Sequence, residues 1–326
     1  MTASSWTRKV FRLRGLPSSI SSPKDAARLL GETLGLPPDN ITVYSLAKTS
    51  NQWGPMSKMA TVQFKDIPPT LDSETSITEW RIPIRESPHN EVLILDTQFE
   101  GMTVLNDVET ANHRAEDELP RSVPGVRTVL YGYDSQLIDS NSFQSIGDIA
   151  ARLIWNLKSG GWNLPSSRPI IFLAHSLGGI VLKDAIVQMA NSTDKSVKDI
   201  IRNLLGAIMF RVPSLGMEQS YLMAMVEGQA NETLVQDLSR NSNYYVRQLD
   251  LAFNGLSIVH SVKILWAYVT RESPTIVKRP DGDWNKKGPS AVLVNPESAT
   301  CHCSRTDKSL TIPINKDHSN MVKFFP

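Results

Sequence analysis

Cysteine is almost missing from this sequence, with two in 326 residues, placed together as Cys301-His302-Cys303. That spacing is too tight for an ordinary disulfide and offers too few further ligands for a closed zinc site. Neither a disulfide scaffold nor a structural metal is therefore expected, and a reducing compartment fits. An excess of one charge sign is lacking too. With 34 basic against 33 acidic residues the formal net charge is +1, so no global field draws the chain to nucleic acid or to an acidic membrane surface. No apolar run approaches the ~20 residues that span a bilayer, and the start, Met1-Thr-Ala-Ser-Ser-Trp-Thr-Arg-Lys, has no hydrophobic signal core. The expectation is a soluble, cytoplasmic protein with no cofactor and no transmembrane segment. Internal repeats and low-complexity tracts are also absent.

What is present suffices for one large core and a smaller companion domain. The first 88 residues read as β-α-β-β. Strands are expected at Lys9-Val-Phe-Arg-Leu-Arg-Gly, Ile41-Thr-Val-Tyr-Ser-Leu and Met59-Ala-Thr-Val-Gln-Phe, with a helix from about Pro23 to Leu34. Ser22-Pro23 and Gly35 are its start and stop signals. Glu79-Trp-Arg-Ile-Pro-Ile adds a strand, giving a small ferredoxin-like α+β domain over residues 1–88, and the polar, proline-bearing stretch from Arg85 to Asn90 reads as a linker. Such a topology resembles an RNA-recognition module. The strand Met59-Ala-Thr-Val-Gln-Phe carries one aromatic and no basic-Gly-aromatic pattern, so protein contact, not nucleic acid, is the expected role of this domain.

From Glu91 the rhythm changes to strands alternating with longer helices, the pattern of a mainly parallel, doubly wound α/β sheet over residues 89–326. Expected strands are Val92–Asp96, Thr128–Tyr133, Ile170–Ala174, Leu205–Phe210 and Val262–Tyr268.

The most informative stretch is the apolar strand ending in Ala174-His175-Ser176-Leu177-Gly178-Gly179, followed at once by an apolar helix. A serine on a sharp strand-to-helix turn adopts strained geometry that projects its hydroxyl outward, and it needs small residues two before and two after. Ala174 and Gly178 qualify. The first helical amide, that of Leu177, lies at the positive end of the helix dipole, where an oxyanion would be stabilised. The alternative is a β-turn-α junction whose serine only caps a helix.

A serine nucleophile needs a base, and in this kind of site the chain order is Ser, acid, His. Of the histidines that follow Ser176, His318 sits where a short apolar strand runs into a polar turn, and it is the expected base. His260 reads as a surface or core residue, His302 as a loop residue in preference to a weak, incidental metal ligand, and His175 as a packing or positioning residue beside the serine. Two glutamates have the right order for the acid, Glu297 first and Glu272 second. Asp317 adjoins His318 and reads as a solvated turn residue. The loop after the first strand of the large domain offers Thr97 or Gln98 as a second oxyanion donor, or is simply a glycine-containing loop.

These residues resemble the lipase-like α/β hydrolases of the serine-active-site-containing family, in particular the N-terminal hydrolase domains of fungal NACHT or ankyrin-repeat receptor-like proteins. The features that carry the resemblance are Phe11-Arg-Leu-Arg-Gly-Leu-Pro, Asp96-Thr-Gln-Phe-Glu-Gly-Met-Thr, Tyr131-Gly-Tyr-Asp-Ser, Ala174-His-Ser-Leu-Gly-Gly-Ile-Val-Leu-Lys, Val212-Pro-Ser-Leu-Gly-Met-Glu, Ser273-Pro-Thr and Asp317-His-Ser-Asn-Met-Val-Lys-Phe. The resemblance implies an α/β-hydrolase fold with a Ser-Glu-His esterase or lipase site, serving as an effector module in immunity or incompatibility. Three departures from the family pattern stand out. Arg211-Val-Pro-Ser214 replaces Gly-x-Pro-His, Val269 replaces a glutamate in Tyr-Glu-Thr, and Ala174 replaces glycine. Two readings follow: a serine hydrolase acting on carboxylic esters of acyl lipids or other apolar acyl groups, or a catalytically silent hydrolase fold used for binding or signalling.

Overall fold

The computed structural model describes residues 9–50, 56–71, 77–84, 91–107, 119, 122–240, 244–280, 282, 284–300 and 308–323. The chain divides into two compact units, Met1–Asp134 and Ser135–Pro326.

In the first unit, five strands form one antiparallel sheet: β1 (Val10–Pro17), β2 (Ile41–Lys48), β3 (Ser57–Phe64), β4 (Glu79–Pro83) and β5 (Val92–Asp96), in the order β2-β3-β1-β5-β4. Helix α1 (Pro23–Leu34) follows β1. Ser22 starts it by a capping box, its hydroxyl accepting from the Asp25 amide while the Asp25 carboxylate accepts from the Ser22 amide. Gly35, at φ 70°, ends it in the left-handed conformation that glycine adopts freely. Ala26, Ala27 and Leu30 of α1 are buried with Phe11, Leu13, Val62, Leu93 and Leu95 of the sheet.

The strand expected to open the large parallel sheet is thus found elsewhere. Val92–Asp96 lies between β1 and β4, with Leu13 opposite Leu95 and Trp80 also opposite Leu95. The physical reason is on both faces of the strand. Leu93 and Leu95 complete the apolar core, and Asp96 accepts from Arg12 Nε at 2.8 Å and Arg14 Nε at 3.1 Å. Arg12 is itself buried, so its cation requires such a partner. The second expected strand is Val129–Gly132 (β7), which pairs antiparallel with β6 (Gly101–Val104) in a separate ribbon. Accordingly this unit runs to Asp134, where the sequence suggests a boundary after residue 88. The expected linker, 85–90, lies outside the described residues.

The second unit contains a four-stranded, wholly parallel sheet. Its strands are β8 (Ile170–His175), β9 (Leu204–Phe210), β10 (Lys263–Val269) and β11 (Thr311–Ile314), ordered β11-β10-β9-β8. Four longer helices accompany it: α2 (Ile146–Ser159), α3 (Leu177–Asn191), α4 (Lys195–Arg202) and α5 (Tyr244–Asn254). Helix α3 is central, packing against α2, α4 and α5. Its sequence is apolar nearly all round, as expected of a helix surrounded by protein, and Ile180, Val181, Leu182, Ala185, Ile186 and Met189 are buried. Among the described residues no helix is long and apolar enough to cross a membrane.

One charge breaks the apolar character of α3. Lys183 is fully buried, and its ammonium donates to Asp250 Oδ1 of α5 at 2.6 Å and to Ser214 Oγ at 2.7 Å. It lies 5.2 Å from the Phe253 ring centre and 5.0 Å from that of Trp266, where aromatic faces favour a cation. Removing one member of a buried pair leaves an uncompensated charge. Asp250→Ala is therefore expected to lower unfolding free energy by about 3–5 kcal/mol, read by denaturant titration, and a loss below ~1 kcal/mol would show that the pair is solvent-screened.

Candidate active site

All four strands of the parallel sheet run the same way, so their carboxyl ends share one edge, and the loops leaving that edge meet. Ser176 leaves β8, Arg211 leaves β9, Ser273 follows β10 and His318 follows β11.

Ser176 joins β8 directly to α3 with φ 53° and ψ −126°. A non-glycine residue rarely takes positive φ, and such strain persists only where the surroundings impose it. Two backbone bonds impose it here. The Ser176 amide donates to the Phe210 carbonyl at 3.0 Å, and the Gly179 amide donates to the Ser176 carbonyl at 3.0 Å. Close approach of helix and sheet does the rest: a Cβ on Gly179 would come within 2.0 Å of Val212 Cγ2. The methyl of Ala174 is accommodated, since that residue is buried in the strand. The Ser176 side chain makes no capping bond to the helix, which leaves its hydroxyl for other partners.

Its partner is the imidazole of His318, with Nε2 3.0 Å from Ser176 Oγ. Three contacts hold that histidine. Its amide donates to Ser273 Oγ at 2.9 Å. Its carbonyl lies 3.0 Å from His175 Nε2, and since a carbonyl only accepts, His175 carries its proton on Nε2. Met321, three residues on, is buried against Ala267 and Val269 of β10. The rings of His175 and His318 stand 4.8 Å apart between centres. Leu177 is the first residue of α3, so its amide has no acceptor within the helix and lies at the positive end of the dipole.

The imidazole of His318 is buried and pushed down to about 3, first by burial, then by the neighbouring His175 and Arg211; Asp317 acts in the opposite direction. His175 is lowered as well, mainly by burial. Among the described residues, Nδ1 of His318 is buried with no hydrogen-bond partner. Neither glutamate expected as the acid therefore bonds to it. Glu297 is exposed in the first turn of a four-residue helix, Pro296–Ala299, and Glu272 is exposed in the turn after β10. Chain order selects both, and a match to a family glutamate favours Glu297, but neither criterion directs a side chain inward. The other oxyanion candidates, Thr97 and Gln98, belong to the first unit, where the Thr97 amide already donates to the Thr78 carbonyl at 3.1 Å. His260 is exposed and bonded to the Asn254 carbonyl. His302 and its flanking cysteines lie outside the described residues.

Two residues of the site were not singled out as such by sequence. Ser273, buried, supports the His318 backbone; a serine followed by proline just past a strand carries little signal. Arg211 stood out only as a departure from a family pattern. It is 1% exposed, with φ 45°.

No protein-family model matches the chain. Part of it is similar to Protein SERAC1 of Danio rerio, at 30% identity over 105 residues, covering 30% of this chain and 15% of that protein. Protein SERAC1 of Bos taurus is 26% identical over 127 residues, 34% of this chain and 19% of that protein. The Homo sapiens protein is 27% identical over 103 residues, 30% of this chain and 15% of that protein. The chain thus matches less than a fifth of the length of these curated relatives.

The low value at His318 fixes the sign of a pH effect. An unfolded chain protonates this imidazole near 6.5, whereas the folded protein resists until about 3. The folded state is therefore favoured fully above about 6.5 and loses that advantage as pH falls toward 3. Thermal melts between pH 7 and 4 should show a decline in Tm that His318→Gln makes shallower, and an equal slope in both proteins would contradict the buried neutral imidazole.

Proposed function

We propose that this chain is a serine hydrolase of the α/β-hydrolase type that cleaves carboxylic esters, with Ser176 as nucleophile and His318 as base. The observation that carries the reading is the pairing of a hydroxyl on a strained strand-to-helix turn with an imidazole nitrogen 3.0 Å away. In this scheme the Ser176 proton passes to His318 Nε2 as Oγ bonds to the ester carbonyl carbon. The tetrahedral oxyanion sits against the Leu177 amide. Collapse expels the alkoxide, which takes the proton from His318, and water, deprotonated by the same nitrogen, then releases the acid and restores Ser176. Acyl lipids or other apolar acyl esters are the substrate class, consistent with the family resemblance. The same resemblance supports a role as an effector module of a fungal receptor-like immunity or incompatibility system; the scarcity of cysteine supports a cytoplasmic setting, and the balanced charge and few stacking aromatics support protein contact, not nucleic acid, for residues 1–88.

The pair acts as a dyad, because among the described residues no carboxylate bonds to His318 Nδ1. That orphaned nitrogen also favours one competing reading, a hydrolase fold that binds or signals without turnover. Reactivity of Ser176 separates the two. The protein should label with a fluorophosphonate and hydrolyse a short p-nitrophenyl ester, and Ser176→Ala should lose both. His318→Ala should lower labelling by about 10²–10⁴-fold, the usual contribution of a general base, whereas Glu297→Gln and Glu272→Gln should leave it within a few fold. Equal labelling of wild type and Ser176→Ala would remove the assignment.

A further inference from the structure

The turn after β11 closes on itself without using the peptide groups of His318. The Met321 amide donates to the Asp317 carbonyl at 3.1 Å, and the Asp317 carboxylate accepts from the amides of Ser319 and Asn320, both at 3.0 Å. Among the described residues no backbone group bonds to the amide or the carbonyl of His318. Backbone amides and carbonyls inside a protein need partners, and both partners here are side chains brought from other loops. Ser273 Oγ accepts from the amide at 2.9 Å, from a position 45 residues earlier. His175 Nε2 donates to the carbonyl at 3.0 Å, from a position 143 residues earlier.

Each partner is itself held. His175 is the last residue of β8, opposite Phe210 of β9, and is the chain neighbour of Ser176. The bond from its ring to the His318 carbonyl and the bond between Ser176 Oγ and His318 Nε2 therefore join the same two short segments twice. One bond would leave a pivot, whereas two fix separation and rotation together. The His175 ring, 4.8 Å from that of His318 between centres, also limits rotation of the base. Ser273 is buried and paired antiparallel with Ala291. Its segment runs beside that of His318: the Thr270 amide donates to the Ile314 carbonyl at 3.1 Å, and Arg271 Nε donates to Asn315 Oδ1 at 3.0 Å. The same turn leaves Glu272 exposed, so it brings the base a hydroxyl and no carboxylate.

In a triad the carboxylate has two tasks, to orient the imidazole through Nδ1 and to stabilise the imidazolium. Among the described residues nothing bonds to Nδ1, so the ring is not oriented from that side. We propose that His175 and Ser273 are positioning residues that take over the first task, clamping the His318 peptide at its carbonyl and its amide and so holding Nε2 3.0 Å from Ser176 Oγ. This rests on the reading of Ser176 and His318 as nucleophile and base. Neither clamping residue touches a reacting atom; each acts through His318, and the clamp supplies geometry without charge.

The test is steady-state hydrolysis of a short p-nitrophenyl ester by the full chain and by three variants, with thermal melts to establish that each is folded. His175→Phe keeps a ring and removes the donor, His175→Gln keeps an N–H donor and removes the ring, and Ser273→Ala removes the acceptor. In His175→Phe and Ser273→Ala, kcat should fall about 10–100-fold, the scale of a small misplacement of a catalytic group, while KM stays within about two-fold. His175→Gln should recover most of that loss. A residue that serves only to pack gives the opposite order, with the phenylalanine active and the glutamine slow, and that order would overturn the clamp. If a ring variant fails to fold, Ser273→Ala, which removes a single oxygen, decides: a wild-type kcat in that folded variant overturns the clamp as well. In either case turnover by the wild type that is lost in Ser176→Ala leaves the nucleophile in place. A wild type that neither turns over the ester nor labels with a fluorophosphonate overturns the nucleophile and the clamp together.

Discussion

Everything at the candidate site depends on one backbone conformation, the positive φ of Ser176 where β8 turns into α3. A residue with a side chain does not stay there unless it is forced to. The forcing comes from the sheet, through the bond to the Phe210 carbonyl, and from the helix, through the bond from Gly179. Gly179 must lack a side chain because Val212 already fills that space. The helix in turn is held by the Lys183–Asp250 pair in its interior. The hydroxyl is therefore aimed by rigid elements, and the imidazole is brought to it by the loop after the opposite edge strand of the same sheet.

The electrostatic character of the site follows from what surrounds that imidazole. Burial and two neighbouring groups, His175 and Arg211, all favour the neutral ring. A neutral ring is the form that accepts a proton, but an environment that resists the charged form weakens the acceptor. Position and basicity are thus separable properties here. The Ser176–His318 pair has its hydrogen-bonding geometry with, among the described residues, no carboxylate bonded to the imidazole.

How much of this was visible in the sequence differs from element to element. The helix at Pro23–Leu34 was legible because Ser22, Pro23 and Gly35 state its ends by local chemistry. The turn at Ser176 was legible for the same reason, since an apolar strand, small residues and an apolar helix are contiguous. The placement of Val92–Asp96 was not. A short apolar run specifies a strand but neither its sheet nor its direction, and what places this one is the contact of Asp96 with Arg12, 84 residues earlier. The two glutamates follow from order along the chain and, for Glu297, from a match to a family glutamate, and neither says which way a side chain points from a surface turn. Arg211 was visible as an unusual residue; that it is buried with positive φ required coordinates.

The bond between His175 and the carbonyl of His318 has a consequence for how such a protein is made. It ties the residue before Ser176 to His318 across 143 positions of sequence. The contacts that hold the Ser176 turn, to Phe210 and Val212, span some 34 residues at most, whereas His318 arrives only by closing a much longer loop, which is slow and entropically costly. During synthesis the turn at Ser176 can consequently form before its hydrogen-bond partner exists. The hydroxyl meets the imidazole of His318 only when the segment beyond β11 has been added and has docked.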